Sequence, residues 1–147
     1  MATQNNSVRR INGPFFIGNK PVGAVFGNYV ASGLLVRANT GLTPITVTVE
    51  SGVAVVDGLE MHVYQETYGL VAADGSNPRK DLVQVGPGTI KKITVKPGEA
   101  ATTPTAPAPD AGCIPLAIIN VAAGVTTLSY WDAQNDVRPV FASPRNW

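Results

Sequence analysis

His62 is the single histidine of the 147-residue chain, and Glu60 stands two positions before it. On a strand, side chains two apart share a face, so this carboxylate and imidazole can meet as the beginning of a general-base pair. Hydrolysis would also need a nucleophile and an oxyanion donor, and no G-x-S-x-G or comparable turn is present. The expectation is a solvent-facing strand histidine alternating with Met61 and Val63. Asp132, Asn135 and Asp136 in WDAQNDVR have the composition of a calcium loop, but the D-x-D-x-D-G framework and the distal Glu are missing. An Asx-rich turn is expected there, as over Asp74 to Asn77. The ten acidic residues offer no spacing that selects a pair of carboxylates for glycoside chemistry. Tyr64, Tyr68, Tyr130 and Trp131 have the rings to stack on sugars, or equally to pack across strands. Cys113 is the only cysteine, which excludes an intrachain disulfide and a cysteine-based zinc site and suits a small buried hydrophobe beside Ile114. No catalytic residue, cofactor or metal site is assigned.

The elements that would position these residues are strands. Fifteen glycines and twelve prolines interrupt the chain too often for long helices. In TPITVTVESGVAVVDG, residues 43–58, Ile45, Val47 and Val49 alternate with Thr46, Thr48 and Glu50, so one side is core and the other wet. Strands are predicted over 32–38, 44–50, 52–57, 59–65, 67–71, 80–86, 89–96, 115–121 and 125–131. Gly86-Pro87-Gly88 predicts a hairpin between the sixth and seventh of these, Ala122-Ala123-Gly124 a connection between the last two, and Asp74 to Pro78 a loop. The fold class is all-β, a single antiparallel sandwich or barrel-like domain. Residues 97–112, PGEAATTPTAPAPDAG, favour extended conformation. Two strands after them cannot bury a core alone, so the segment reads as a surface crossing within one domain, 32–140, flanked by an arm, 1–31, and a tail, 141–147.

Charged residues make up only 14% of the chain, against about 25% in ordinary domains. A surface covered by other subunits would account for the deficit. Net charge is +1 and no basic run exceeds two neighbours, which excludes the basic face nucleic acid requires. The start, ATQNNSVRR, lacks the pattern of a secretion signal, and the apolar runs fall far short of the roughly 20 residues a membrane helix needs. Cytoplasmic synthesis as a soluble product, with no membrane partner, is the expectation.

Both flanks carry apolar residues that gain nothing in water. Phe15, Phe16, Ile17, Phe26, Tyr29, Phe141 and Trp147 are therefore the candidate contacts with other subunits, although such flanks can also pack on their own domain. Arg79 and Asp81, two apart, are mirrored by Asp136 and Arg138. As structural ion pairs they could pair crosswise and fix where the last strand meets the sheet. The alternative is independent surface charges worth under about 1 kcal/mol.

In order, VTVESGVAVVDG, NPRKDLVQV, the proline-rich crossing, PLAIINVAAGVTTL and DVRP resemble a β module of tailed-bacteriophage virion proteins, including baseplate, fibre and appendage proteins. The resemblance covers roughly residues 32–140 and singles out Asn77, Pro78, Arg79, Asp81, Asp136 and Arg138. In tail proteins the module commonly sits inside a longer chain. Here it is nearly the whole sequence, which favours a small stand-alone virion part, most commonly a capsid decoration or cement protein. The resemblance implies a homotrimer at local three-fold positions of the shell, with arms on neighbouring subunits or the major capsid protein. Deleting residues 1–30 should then leave a folded core that no longer attaches. A tail, baseplate or head-appendage protein touching the host surface, with a sugar site at Tyr64, Tyr68, Tyr130 or Trp131, is the alternative. A hydrolase using Glu60 and His62 is the third.

Overall fold

The computed structural model describes residues 27–87, 92–129, 132 and 135–139, and in backbone alone 16–17 and 20–21. It is all-β, with no α-helix among the described residues. In chain order the strands are β1 (Phe16–Ile17), β2 (Lys20–Pro21), β3 (Tyr29–Gly33), β4 (Val36–Ala38), β5 (Thr46–Val49), β6 (Gly52–Val56), β7 (Leu59–Val63), β8 (Glu66–Gly69), β9 (Arg79–Val85), β10 (Ile93–Lys96), β11 (Ile114–Val121) and β12 (Asn135–Asp136). β1 pairs with β2; the larger sheets run β3-β6-β7, β4-β5-β8 and β10-β9-β11-β12, with every strand pair antiparallel.

The same three stretches of chain, 29–38, 46–56 and 59–69, supply both three-stranded sheets. Each stretch bends once and passes from one sheet into the other. The bend corrects the single strand expected over 32–38, and its cause is a pair of facing glycines. Gly33 opposes Gly52 in the register; a Cβ on Gly33 would sit 2.1 Å from the Ser51 carbonyl oxygen, and one on Gly52 would sit 2.3 Å from that of Ser32. Only residues without a Cβ let the backbones cross so closely. Gly33 and Leu34 both take φ of 61°, turning the chain, and the fully buried Leu34 side chain anchors the corner. Leu34 N donates to Ser51 O and Glu50 N to Leu35 O, so backbone pairing continues through the corner.

The alternation read in residues 45–50 is realised: Ile45, Val47 and Val49 are buried, while Thr46 and Glu50 keep partial exposure. Thr48 departs from it, being buried. Its hydroxyl lies 3.0 Å from both Asn39 Oδ1 and Thr67 Oγ1, which satisfies a polar group that would otherwise be costly to bury. Asp57 and Gly58 close the β6–β7 hairpin with φ of 52° and 82°, the positive values that tight antiparallel turns require.

One hydrophobic cluster joins the sheets. Ala54 and Val56 from the first, Val47 and Val49 from the second, and Val83, Val85, Leu116 and Ile119 from the third all belong to it. β9 lies between β10 and β11 and is buried at all but one of its seven residues, so its polar members Arg79, Asp81 and Gln84 are buried with hydrogen-bond partners. β9 and β10 form the predicted hairpin. The proline-rich crossing then returns the chain to β11, on the far side of β9, as a surface segment pinned to the sheet. Ala101 N donates to Pro78 O, Gly98 N to Asp81 Oδ1, and Asp110 N to Gln84 Oε1.

The strand expected over 125–131 is not formed in its described part, 125–129. There the chain makes one isolated parallel bridge, Leu128 to Thr40, with Gly41 N donating to Leu128 O. Gly124, at φ 69°, turns the chain so that its N–H donates to Asp74 O. This sends the chain towards the 40–43 loop instead of back along β11.

Candidate functional site

Alternation along β7 places Glu60 and His62 on its outer face, with Nε2 3.2 Å from Oε1. Both side chains are well exposed. Two residues on, Tyr64 occupies the corner between β7 and β8, 86% exposed. Glu66 and Tyr68 follow on β8 with the same period of two. Tyr68 is half-buried and packs on the core. Its hydroxyl pKa is raised, first by burial and then by the neighbouring Glu66 carboxylate. From the third sheet Lys92 extends its ammonium to the His62 carbonyl at 2.7 Å. His62, Tyr64, Glu66, Tyr68 and Lys92, with Val63 and Ile93 beneath, line a groove of about 280 Å³.

The groove gathers three of the residues that the sequence marks for chemistry, His62, Tyr64 and Tyr68. It adds Glu66 and Lys92, which the sequence reading passed over as binding residues. Glu66 could have been found from its spacing to Tyr68 on one strand face. Lys92 could not, because it arrives from the β9–β10 hairpin. None of the lining residues is serine, threonine or cysteine; the hydroxyls there are the phenols of Tyr64 and Tyr68. Among the described residues no group of three or more His, Cys, Asp or Glu is placed to hold a metal ion, and no helix is long and apolar enough to cross a membrane.

Two other hollows flank the body. A shallow one of about 720 Å³ lies along Val56, Leu59, Met61 and Pro87. Another, of about 270 Å³, lies between Pro44, Ile45, Ala73 and Val125.

The paired charges do not meet crosswise. Arg79 Nε and Nη2 donate to the two oxygens of Asp81, at 2.8 and 3.1 Å, with the side chains 6% and 0% exposed. Two further Arg79 N–H groups donate to Ala72 O, at 2.7 Å, and Val71 O. Arg138 likewise grips its own neighbour Asp136, through Nε and Nη2 at 2.8 and 2.6 Å. Its Nη1 donates to Gly33 O at 2.7 Å. Two residues on one strand face are within reach of each other wherever the strand lies, so pairing inside each motif wins over pairing across the sheet. Each pair also bonds backbone groups beyond its own motif. Arg79–Asp81 ties the exit of β8 and the start of the crossing to β9, and Asp136–Arg138 ties the last described segment to the glycine corner.

Asp136 and Arg138 also dock the last described segment. β12 pairs with β11 at Ala117 and Ile118, Val137 N donates to Leu116 O, and Val30 N donates to Pro139 O at 2.8 Å. Residues 135–139 thus bridge β11 of one sheet and β3 of another. Of the candidate contacts, Tyr29 opens β3 opposite Val55, half-buried, so the sheet includes residues that the sequence reading assigned to the arm. Phe16 and Ile17 form β1. Phe15, Phe26, Phe141 and Trp147, with Tyr130 and Trp131, lie outside the described residues.

Comparison of the chain with protein-family models, curated proteins and solved structures finds no match in any of the three.

Proposed function

We propose that the chain is a non-enzymatic structural component of a phage particle, decorating the capsid and stabilising it through contacts of its two flanks with neighbouring subunits. The observation that supports this reading is that the two ends of the described body, from which those flanks continue, adjoin. The first paired residues of β3 and the last described residue, Pro139, are joined by the hydrogen bond from Val30 N to Pro139 O. The two points at which the described body continues into its flanks therefore adjoin, and in sequence the N-terminal flank carries Phe15, Phe16, Ile17 and Phe26 and the C-terminal flank Phe141 and Trp147. Two apolar flanks issuing together can serve one neighbour, where each Å² of apolar surface covered contributes about 25 cal/mol. The low charge of the sequence accords with a particle-bound surface. A homotrimer seated on the major capsid protein is the assembly that the resemblance to virion modules implies.

The test is truncation, and the fold sets where to cut. Val30 is a core residue and Asn28 Oδ1 accepts from Asp57 N, so a deletion of 1–30 would damage the body itself. Removing residues 1–26 spares both. The truncated protein should keep the strand signature and cooperative unfolding of the full chain, yet fail to bind shells stripped of the native protein. Full occupancy of such shells by the truncated protein would sink the proposal.

A further inference from the structure

The bent sheet makes its three corners out of different residues. The first two pass through Gly33-Leu34-Leu35 and Glu50-Ser51-Gly52, where facing glycines or a buried leucine account for the choice. The third passes through Tyr64 and Gln65, both exposed, and no packing role accounts for a ring held 86% in solvent. A tyrosine ring exposed in this way forgoes the burial that normally favours it. Beside it lie a second ring, Tyr68, lodged on the core, the Glu66 carboxylate, and the Lys92 ammonium, held in place by the His62 carbonyl with donors to spare.

We propose that this groove binds a neutral hexopyranose unit of a glycan, its C–H face lying on Tyr64 and Tyr68 and its hydroxyls bonded to Glu66 and Lys92. Each part of the groove matches one property of such a ring. A pyranose carries an apolar C–H face that an aromatic platform covers, and hydroxyls that both donate and accept. Glu66 can only accept and Lys92 can only donate, so adjacent hydroxyls satisfy both. The volume, about 280 Å³, lies just below the ~300 Å³ at which pockets begin to enclose drug-sized ligands, which suits one ring and leaves the rest of a chain in solvent. Charge gives acidic sugars no advantage. Glu66 offsets Lys92 within the groove, and His62 is already engaged with Glu60 beside it, so an anionic ligand gains no net attraction over a neutral one. The inference is independent of how the flanks attach the protein.

Saturation-transfer NMR on the full chain tests it, using methyl glucoside, methyl galactoside and methyl mannoside as probes and N-acetylneuraminate as the charged comparison. At least one neutral pyranoside should bind saturably, with transfer strongest at its ring C–H protons. Tyr64→Ala should weaken it by about tenfold, the scale of one lost aromatic contact, while Tyr64→Phe retains it. Because Tyr64 is solvent-exposed, both variants should keep the unfolding transition of the parent chain. Absence of saturable binding by all three neutral probes, binding undiminished in Tyr64→Ala, or preference for N-acetylneuraminate would each overturn the assignment.

Discussion

Arg79–Asp81 and Asp136–Arg138 place the same two side chains at the same spacing, yet they do different work. The first pair lies under the protein surface, where every guanidinium nitrogen has an acceptor, and Asp81 holds the crossing through Gly98 N. The second lies at the rim with Asp136 38% exposed, and its one long-range bond goes to the Gly33 carbonyl. Identical chemistry becomes a hub in one place and a latch in the other because the number of backbone groups within reach differs, and solvent screens only the rim.

The sharpest way to break this contrast is Asp81→Asn. It leaves the buried guanidinium without its countercharge, and removal of one member of a buried pair costs about 3–5 kcal/mol. Urea denaturation should register that loss, together with earlier proteolytic cleavage in 97–112. An effect below about 1 kcal/mol would put the hub on a par with the latch. Arg138→Ala should cost about 1 kcal/mol or less, as exposed pairs do, and amide hydrogen exchange should speed up at Val30 and Val137 more than in β9. Uniform acceleration across all sheets would contradict a local role.

Acid gives the smallest and most specific test. The Arg138 guanidinium, through its hydrogen bonds, holds the Asp136 carboxyl below the usual aspartate range. Its pKa is thus lower folded than unfolded, so the pair's contribution is complete above the unfolded value, about 3.9, and is lost as pH falls through the folded one. The difference in melting temperature between the parent chain and Asp136→Asn should be constant near neutrality and shrink below about pH 4. Asp110, lowered by Lys96 and then by Gln84, should respond in the same direction at the far end of the crossing. A difference that persists undiminished at the acid end would show that Asp136 acts through something other than its charge.

The strands were readable in the sequence because a period of two is local. Residues 45–49, the Asp57-Gly58 turn, the Gly86-Pro87 hairpin and the Asx turn at Asp74, whose Oδ1 accepts from Ser76 N and Asn77 N, all follow from neighbours within a few positions. The corner was not readable. Gly33 and Gly52 each look like ordinary turn residues, and only their opposition across two strands explains why both lack a Cβ. The described part of the strand expected over 125–131 did not form for a related reason: Leu128 meets the loop at Thr40, and among the described residues no partner strand lies alongside to make a ladder. The groove combined both cases, since Tyr64, Glu66 and Tyr68 share a face that alternation reveals, whereas Lys92 comes from a hairpin that only the folded sheets bring near.

The bond between Val30 and Pro139 also bears on how such a body can be used. A unit whose entry and exit points adjoin can be spliced into a surface loop of a larger polypeptide without forcing that loop apart. It can also be rejoined end to end and reopened elsewhere, so the same fold can serve as a free-standing piece or as an insert.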